Sequence, residues 1–137
     1  MEKRERIYLA GSFSRCAELN NYAQELRDLG YVVDCRWLNG SHQFHPGAEK
    51  VEAATDMPPE AAAFALDDWE DLQNSGIVIS FTGGPGSTKR GGRHVEFGMA
   101  IAYNKRPMLV GPRENVFHAL PSVEQFYSWE ECRNALI

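Results

Sequence analysis

Residues 67–82 read DDWEDLQNSGIVISFT, an acidic segment that passes directly into a continuous apolar run. Apolar residues recur at helical spacing as far as residue 74, whereas GIVISF, residues 76–81, has the length and β-branched content of a buried strand. A glycine-rich loop, TGGPGSTKRGG, follows at residues 82–92. A helix, a buried strand and a loop in succession form the repeating unit of a parallel α/β sheet.

The same alternation continues on both sides of this stretch. The predicted elements are strands at residues 6–10, 31–37, 76–81 and 106–111, helices at 16–29 (ending at Gly30), 60–74 and 91–103, and a last short helix opened by a capping box of Ser128 and Glu131. We therefore predict an α/β chain with one domain over residues 1–137. Its expected architecture is a Rossmann-like (flavodoxin-like) three-layer sandwich around a mostly parallel sheet of about five strands.

Composition restricts the class of protein. The 137 residues are 43% hydrophobic and 24% charged, which is ordinary for a globular domain, and no apolar run approaches the roughly 20 residues of a membrane helix. We expect a cytoplasmic protein without a signal peptide or membrane partner. Three cysteines without CxxC spacing indicate reduced thiols, and the net charge of −5 argues against binding a nucleic-acid polymer.

Three polar loops are expected at one edge of the sheet. They are GSFSR (11–15), NGSHQFH (39–45) and GGPGSTKRGGRH (83–94). In a parallel sheet the ligand lies beyond the carboxyl ends of the strands, where these loops meet. Their hydroxyl, imidazole and guanidinium groups predict a polar ligand there.

Glu96 is the only charged residue between Val95 and Tyr103, in a segment whose apolar side chains point almost all round a helix. That pattern is typical of a helix buried on most sides, where an unpaired carboxylate is costly. Glu96 therefore has either a structural partner or a chemical task.

Asp68 is a second carboxylate in an apolar setting. On its helix the apolar arc contains Phe64, Ala65, Trp69 and Leu72, and Asp68 is the one acid inside it, while Asp67, Glu70 and Asp71 are expected to form a solvated face. Two carboxyl groups in unequal environments suit glycosidic-bond chemistry, with one as nucleophile and one as proton donor. An inward Asp that caps a loop or pairs with Arg remains the alternative.

Three segments together resemble the nucleoside 2-deoxyribosyltransferase family, including its branch of deoxynucleoside 5'-monophosphate N-glycosidases. They are IYLAGSF (7–13), DDWEDLQNSGIVISFT (67–82) and GGRHVEFGMAIA (91–102), in the family's order. The resemblance implies that Glu96 attacks the anomeric carbon of the sugar and that Asp68 assists at the leaving base. It implies no cofactor. Transferases of the family commonly carry a different approach to the glutamate than STKRGGRHVE, which favours the hydrolase branch.

The resemblance also implies a substrate-binding set. Its members are Gly11, Ser12, Ser14, Arg15, His42, Arg90, Gly92, His94, Asn115 and His118. Ser12, Ser14 and Arg15 match the branch's 5'-phosphate loop, and Arg90 and His118 stand where that branch has small hydroxyl residues. Arg15 as a surface residue and His42 as a solvated loop residue are the plain alternatives. His42 and His45 lack a further ligand to complete a metal site, so no metal is expected.

The function predicted from these observations is cleavage of the N-glycosidic bond of a nucleoside 5'-monophosphate, with a small-molecule nucleotide or nucleoside as partner. Transfer of deoxyribose between bases is the alternative within enzymes, and a non-catalytic nucleotide-binding module is the alternative outside them. The segment GPRENVFHALP (111–121) resembles one that reaches into a neighbouring subunit's site. A homodimer or higher homo-oligomer is therefore expected.

Overall fold

The computed structural model describes residues 4–40, 56–83 and 91–137, and these form a layered α/β structure. The strands are β1 (Ile7–Ala10), β2 (Ile77–Phe81), β3 (Arg106–Val110) and β4 (Glu124–Phe126). The helices are α1 (Cys16–Asp28), α2 (Ala61–Gln73), α3 (Gly92–Ala102) and α4 (Trp129–Ala135). The four strands pair in the order β1-β2-β3-β4, and all are parallel.

The helices cover both faces of the sheet. On one face α1 meets α4, where Tyr22 stacks on Trp129 with ring centroids 4.5 Å apart. On the other face α2 meets α3, where Trp69 and Tyr103 make an edge-to-face contact at 5.5 Å. Every residue of β1 and β2 is consequently buried, as expected for a parallel sheet. The three-layer fold class is confirmed. None of the helices in the described ranges is long and apolar enough to cross a membrane.

The predicted strand at residues 31–37 is the main correction. Its backbone makes one isolated parallel bridge, between Val32 and Arg6, and then turns into a 3-10 helix at Arg36–Asn39. A side-chain hydrogen bond holds the end of this segment where a strand would have a ladder of backbone bonds. The Trp37 indole donates to the Leu9 carbonyl at 2.9 Å. The sheet therefore has four strands in the described ranges, rather than about five.

Helix α2 begins and ends within one residue of its predicted bounds, but the prediction of which side chains face the core is partly wrong. Ala65 and Trp69 are exposed, so the prediction that both face the core is wrong. Asp71 is not on a solvated face: it accepts from the backbone and guanidinium of Arg36 at 2.9 Å. With Asp71 bonded to Arg36, Leu72 is fully buried, and the Asp68 Oδ1 atom is shielded from solvent.

Both predicted helix ends with specific chemistry are confirmed. Ser128 Oγ accepts from the Glu131 amide at 3.2 Å at the start of α4, which is the capping interaction expected from the sequence. Gly30 follows α1 with a φ of +98°, a conformation that favours glycine. The cysteines Cys16, Cys35 and Cys132 are free thiols, as predicted.

Candidate active site

The candidate site lies beyond the carboxyl ends of β1, β2 and β3. The ends of β2 and β3 approach closely because residue 111 is glycine: a Cβ there would lie 2.6 Å from the Thr82 carbonyl oxygen, and its φ is +118°. The Thr82 hydroxyl donates to the Pro112 carbonyl at 2.6 Å and links the two loops. The loops after β2 and β3 are therefore held close to each other at the carboxyl ends of their strands.

Glu96 has a hydrogen-bond partner in strand β1. Tyr8, in the middle of β1, is fully buried, and its phenol donates a hydrogen bond to the Glu96 carboxylate across from α3. Burial raises the pKa of Glu96 to about 8, the negative charge of Asp68 adds to the rise, and the Tyr8 hydrogen bond opposes it. Burial and the two carboxylates hold the Tyr8 pKa well above its usual range, so the phenol stays a donor.

Asp68 belongs to the same group of side chains. Its charge raises the pKa values of both Tyr8 and Glu96, which places its carboxylate within electrostatic reach of each. Glu96 of α3 is bonded to the phenol of β1, and Asp68 of α2 acts on both groups through its charge. The two carboxylates predicted from the sequence are therefore electrostatically coupled, and Tyr8 is coupled to both.

Arg15 lies at the opposite side of the crevice, at the start of α1. Its Nη1 atom donates to the Thr82 carbonyl at 3.2 Å, and the guanidinium lies over the Phe81 ring, 5.6 Å from its centroid. The remaining nitrogens donate to Glu18, Nε at 2.8 Å and Nη2 at 2.7 Å. Arg15 is therefore fixed at the end of β2 and is not a loose surface residue.

A second cation lies at the start of α3. Arg93 is 5% exposed and forms an ion pair with Glu114 at 2.9 Å, and Glu114 also accepts from the Gly83 amide at 3.1 Å. His94 Nε2 lies 3.4 Å from the same carboxylate. Glu114 thereby ties the loops after β2 and β3 to α3.

His118 packs against this group from within its own chain. It is 1% exposed, its ring lies 5.4 Å from that of His94, and its Nδ1 accepts from the Glu114 amide at 2.9 Å. Burial lowers the pKa values of both histidines, with Arg93 also acting on each. His118 is therefore buried within its own subunit beside His94 and Glu114, while its neighbours Val116 and Phe117 are exposed.

The other predicted binding residues have simpler placements. Gly11 and half-buried Ser12 follow β1, and Ser14 is exposed beside them. Gly92 is exposed in the first turn of α3. Asn115 caps the 3-10 helix Val116–Ala119, since its side-chain oxygen accepts from the amides of Phe117 and His118. His42, His45 and Arg90 lie outside the described residues.

Sequence reasoning missed Tyr8, Glu18, Arg93 and Glu114. For Tyr8 a signal exists, because a tyrosine in the middle of a buried strand needs a partner for its hydroxyl. Arg93 is also readable in principle, as an arginine in the first turn of an apolar helix that requires a buried anion. The partner of Tyr8 lies 88 residues away and that of Arg93 21 residues away, so spacing alone does not identify either partner.

The described residues hold no group of three or more histidine, cysteine or acidic side chains that could bind a metal ion. What they hold is a pair of inward carboxylates, a buried phenol and two paired guanidinium groups. Such a set can exchange protons and bind an anion or a polar sugar.

Several solved structures resemble the chain over nearly all of its length. A 2-deoxyribosyltransferase from the psychrotolerant bacterium Bacillus psychrosaccharolyticus matches with a TM-score of 0.66 at 23% identity, over 94% of this chain and 90% of that one. The CMP N-glycosidase BcmB of Clostridium botulinum matches with a TM-score of 0.59 at 18% identity, over 96% and 98% of the two chains. A conserved protein from Enterococcus faecalis V583 matches with a TM-score of 0.57 at 13% identity, over 95% of each chain.

No protein-family model and no curated protein sequence matches the chain. The structural matches extend over nearly the whole of each protein, so the likeness is one of complete folds. The chain therefore has the fold found in the 2-deoxyribosyltransferase and in the CMP N-glycosidase, as the resemblance in its sequence implies.

Proposed function

We propose that this chain cleaves the N-glycosidic bond of a nucleoside 5'-monophosphate, with Glu96 as nucleophile and Asp68 as the group that handles the proton of the leaving base. The observation that supports this most directly is the arrangement of Glu96, Tyr8 and Asp68. Glu96 is buried, has a raised pKa and accepts from a buried phenol, while Asp68 acts on both groups through its charge. Two carboxyl groups in unequal environments are what a double displacement at an anomeric carbon requires.

The raised pKa of Glu96 determines how the proton is used. With a pKa of about 8, Glu96 holds a proton at pH 7, and a protonated carboxyl is a poor nucleophile. Because the charge of Asp68 acts on Glu96, the two carboxyls titrate as a coupled pair, and a single proton can reside on either of them. The reactive arrangement has the proton on Asp68 and the charge on Glu96, which the Tyr8 hydrogen bond stabilises.

The reaction then has two displacement steps. An oxygen of Glu96 bonds to the anomeric carbon as the bond to the base breaks, and the base nitrogen takes the electron pair and the proton of Asp68. Water next attacks the anomeric carbon and displaces Glu96, and Asp68 recovers a proton from that water. Activity depends on one proton in the pair, so we expect kcat/KM to fall above pH 8, where this proton is lost.

Incubation of the protein with a panel of nucleosides and their 5'-monophosphates tests the function. Chromatography is expected to show free base from at least one monophosphate, together with a sugar phosphate. Binding of nucleotides without any release of base would identify a non-catalytic module instead and would contradict the proposal.

Transfer of deoxyribose between bases is the second candidate. The observation that favours it is the Arg15–Glu18 pair, because a neutralised arginine suits an uncharged 5'-hydroxyl group. Addition of a second free base distinguishes the two reactions. A transferase converts the acceptor base into a new nucleoside, whereas a hydrolase leaves it unchanged.

Substitution of Tyr8 by Phe is expected to lower kcat/KM by roughly 10- to 100-fold, the effect of losing one hydrogen bond to a charged group. The bond favours the ionised form of Glu96, so its loss raises the Glu96 pKa further. The alkaline limb of the pH profile should accordingly move to higher pH by about one unit or more. A slower enzyme with an unmoved profile would show that Tyr8 acts only through packing.

We further propose that the protein is a homodimer whose interface is formed by α2 and α3. Sequence periodicity predicts α3 buried on most sides, yet Val95 is 65% exposed and Tyr103 46% exposed. On α2, Leu66 is 67% exposed and Trp69 44% exposed, and Trp69 contacts Tyr103, so exposed apolar side chains from the two helices meet at this contact. A second copy would bury these side chains.

Substitution of Leu66 by Glu is expected to convert the dimer into a monomer in light scattering, because it places a charge in the apolar surface. Tyr127→Glu is the matched control, since Tyr127 is 74% exposed next to α4 on the other face of the sheet. A wild-type monomer, or equal dissociation by both variants, would contradict this interface.

A further inference from the structure

Glu18 forms an ion pair with Arg15, the cation that the sequence resemblance assigns to a phosphate. The Arg15 guanidinium donates to both Glu18 oxygens, at 2.8 and 2.7 Å, in the bidentate geometry by which arginine binds carboxylates and phosphates. Its third nitrogen, Nη1, donates to the Thr82 carbonyl. A phosphate at Arg15 must therefore take over the two bonds that Glu18 now accepts.

Glu18 has a second partner that remains when Arg15 is released. The Tyr22 hydroxyl donates to Glu18 Oε2 at 2.7 Å, and the Tyr22 ring is fixed between Phe81 and Trp129, with centroids 5.5 and 4.5 Å away. The Glu18 side chain is 36% exposed and that of Arg15 18%. Because the Glu18 carboxylate is partly exposed and also accepts from Tyr22, the loss of its bonds to Arg15 does not leave a buried charge unpaired.

The other described cation of the crevice is also paired. Arg93 donates to Glu114, which in addition accepts from the Gly83 amide. Glu114 is thereby bonded to two separate parts of the protein, whereas among the described residues Glu18 is bonded only to Arg15, just before α1, and to Tyr22 in α1. Of the two carboxylates, Glu18 is the one that an incoming anion can displace.

We propose that Glu18 is the residue that determines specificity at the 5' position: its carboxylate occupies Arg15 in the free protein and competes with the phosphate of the substrate. The inference rests on the proposed function, because it takes this side of the crevice to hold the sugar phosphate end of a nucleotide. Glu18 thus lowers the affinity for every anion and leaves an uncharged nucleoside unaffected, which reduces the preference for the monophosphate.

Calorimetric titration with ribose 5-phosphate, and with ribose as the uncharged counterpart, tests the proposal without any turnover. Glu18→Gln keeps the shape and an acceptor for Tyr22 but removes the competing charge. We expect ribose 5-phosphate to bind roughly 10-fold more tightly, the low end for a charge-assisted contact because both side chains are partly exposed. Binding of ribose should not change. Introducing Arg15→Gln into the Glu18→Gln protein should abolish the gain.

Glu25→Gln is the matched control. Glu25 lies on the same helix and is also paired with an arginine, Arg133 at 2.6 Å, and its side chain has the same 36% exposure as that of Glu18. It therefore removes an equal charge from α1 without touching Arg15. Glu18→Ala, which removes the carboxyl group altogether, provides a second variant, and circular dichroism confirms that each protein is folded.

A gain confined to the Glu18 variants and dependent on Arg15 supports the proposal. A change of less than twofold in both Glu18 variants, an equal gain in Glu25→Gln, or a gain that survives Arg15→Gln would overturn it. The outcome is independent of the base-release assay: the expected gain in a protein that releases no base would refute the proposed function and leave the role of Glu18 intact.

Discussion

Glu96→Gln is expected to lower turnover by at least about 10³-fold while the protein remains folded. The amide keeps the size of the carboxyl and can still accept from Tyr8, but it cannot form the ester with the anomeric carbon. Release of base from the best substrate, measured under single-turnover conditions, reports this step directly. Turnover within tenfold of the wild type would exclude Glu96 as the nucleophile.

Thermal stability provides the control for that variant. Glu96 stays protonated in the folded protein up to about pH 8 but ionises above about pH 4.5 once unfolded. The folded state then binds more protons than the unfolded state, so wild-type stability falls as pH rises between these two values. Glu96→Gln lacks this loss. Its melting temperature should therefore exceed that of the wild type by a margin that increases from pH 4.5 to pH 8.

A margin that stays constant over this pH range would mean that the carboxyl is not buried as described. A variant that is less stable at every pH would indicate instead that Glu96 contributes to folding. Measuring activity and melting temperature on the same samples therefore separates a chemical role from a structural one.

The sequence predicts regular elements well where local patterns decide them. The α2 bounds, the cap at Ser128 and the turn at Gly30 each depend on residues close in sequence, and all are confirmed. The segment at residues 31–37 has the composition of a strand, but contacts with residues of other elements decide its conformation. The bond from Trp37 to the Leu9 carbonyl spans 28 residues and has no local signature.

The candidate site also contains features that local sequence predicts and features that depend on contacts between distant residues. Glu96 and Asp68 are visible in the sequence because each interrupts an apolar pattern. In the structure Glu96 is bonded to Tyr8, and the charge of Asp68 raises the Tyr8 pKa. The pairing of Arg15 with Glu18, three residues along α1, could also be read from helical spacing. Arg93 and Glu114 meet only through the folding of β3 between them, which periodicity does not describe.

Asp68→Asn is expected to slow the release of base by about 10²-fold or more, within the usual contribution of a positioned proton donor. The asparagine keeps the shape of the side chain but cannot deliver a proton to the leaving base. Its effect on pH dependence is more specific than its effect on rate. The fall in kcat/KM above pH 8 should flatten, because the proton lost there no longer takes part in the reaction.

The remaining carboxyl should respond as well. The charge of Asp68 raises the pKa of Glu96, so the neutral asparagine lowers that pKa below 8. The activity that remains should then increase with pH through this lower pKa, because Glu96 must be ionised to attack. Glu70→Gln is the matched control, because it removes one charge from the same helix at a side chain that is 66% exposed and paired with Arg36. Substrates whose leaving base needs no protonation should be affected least by Asp68→Asn, since an electron-poor base departs without the proton that Asp68 supplies. A uniform loss across all bases, with an unchanged pH profile and a lower melting temperature, would instead identify Asp68 as a structural residue of α2.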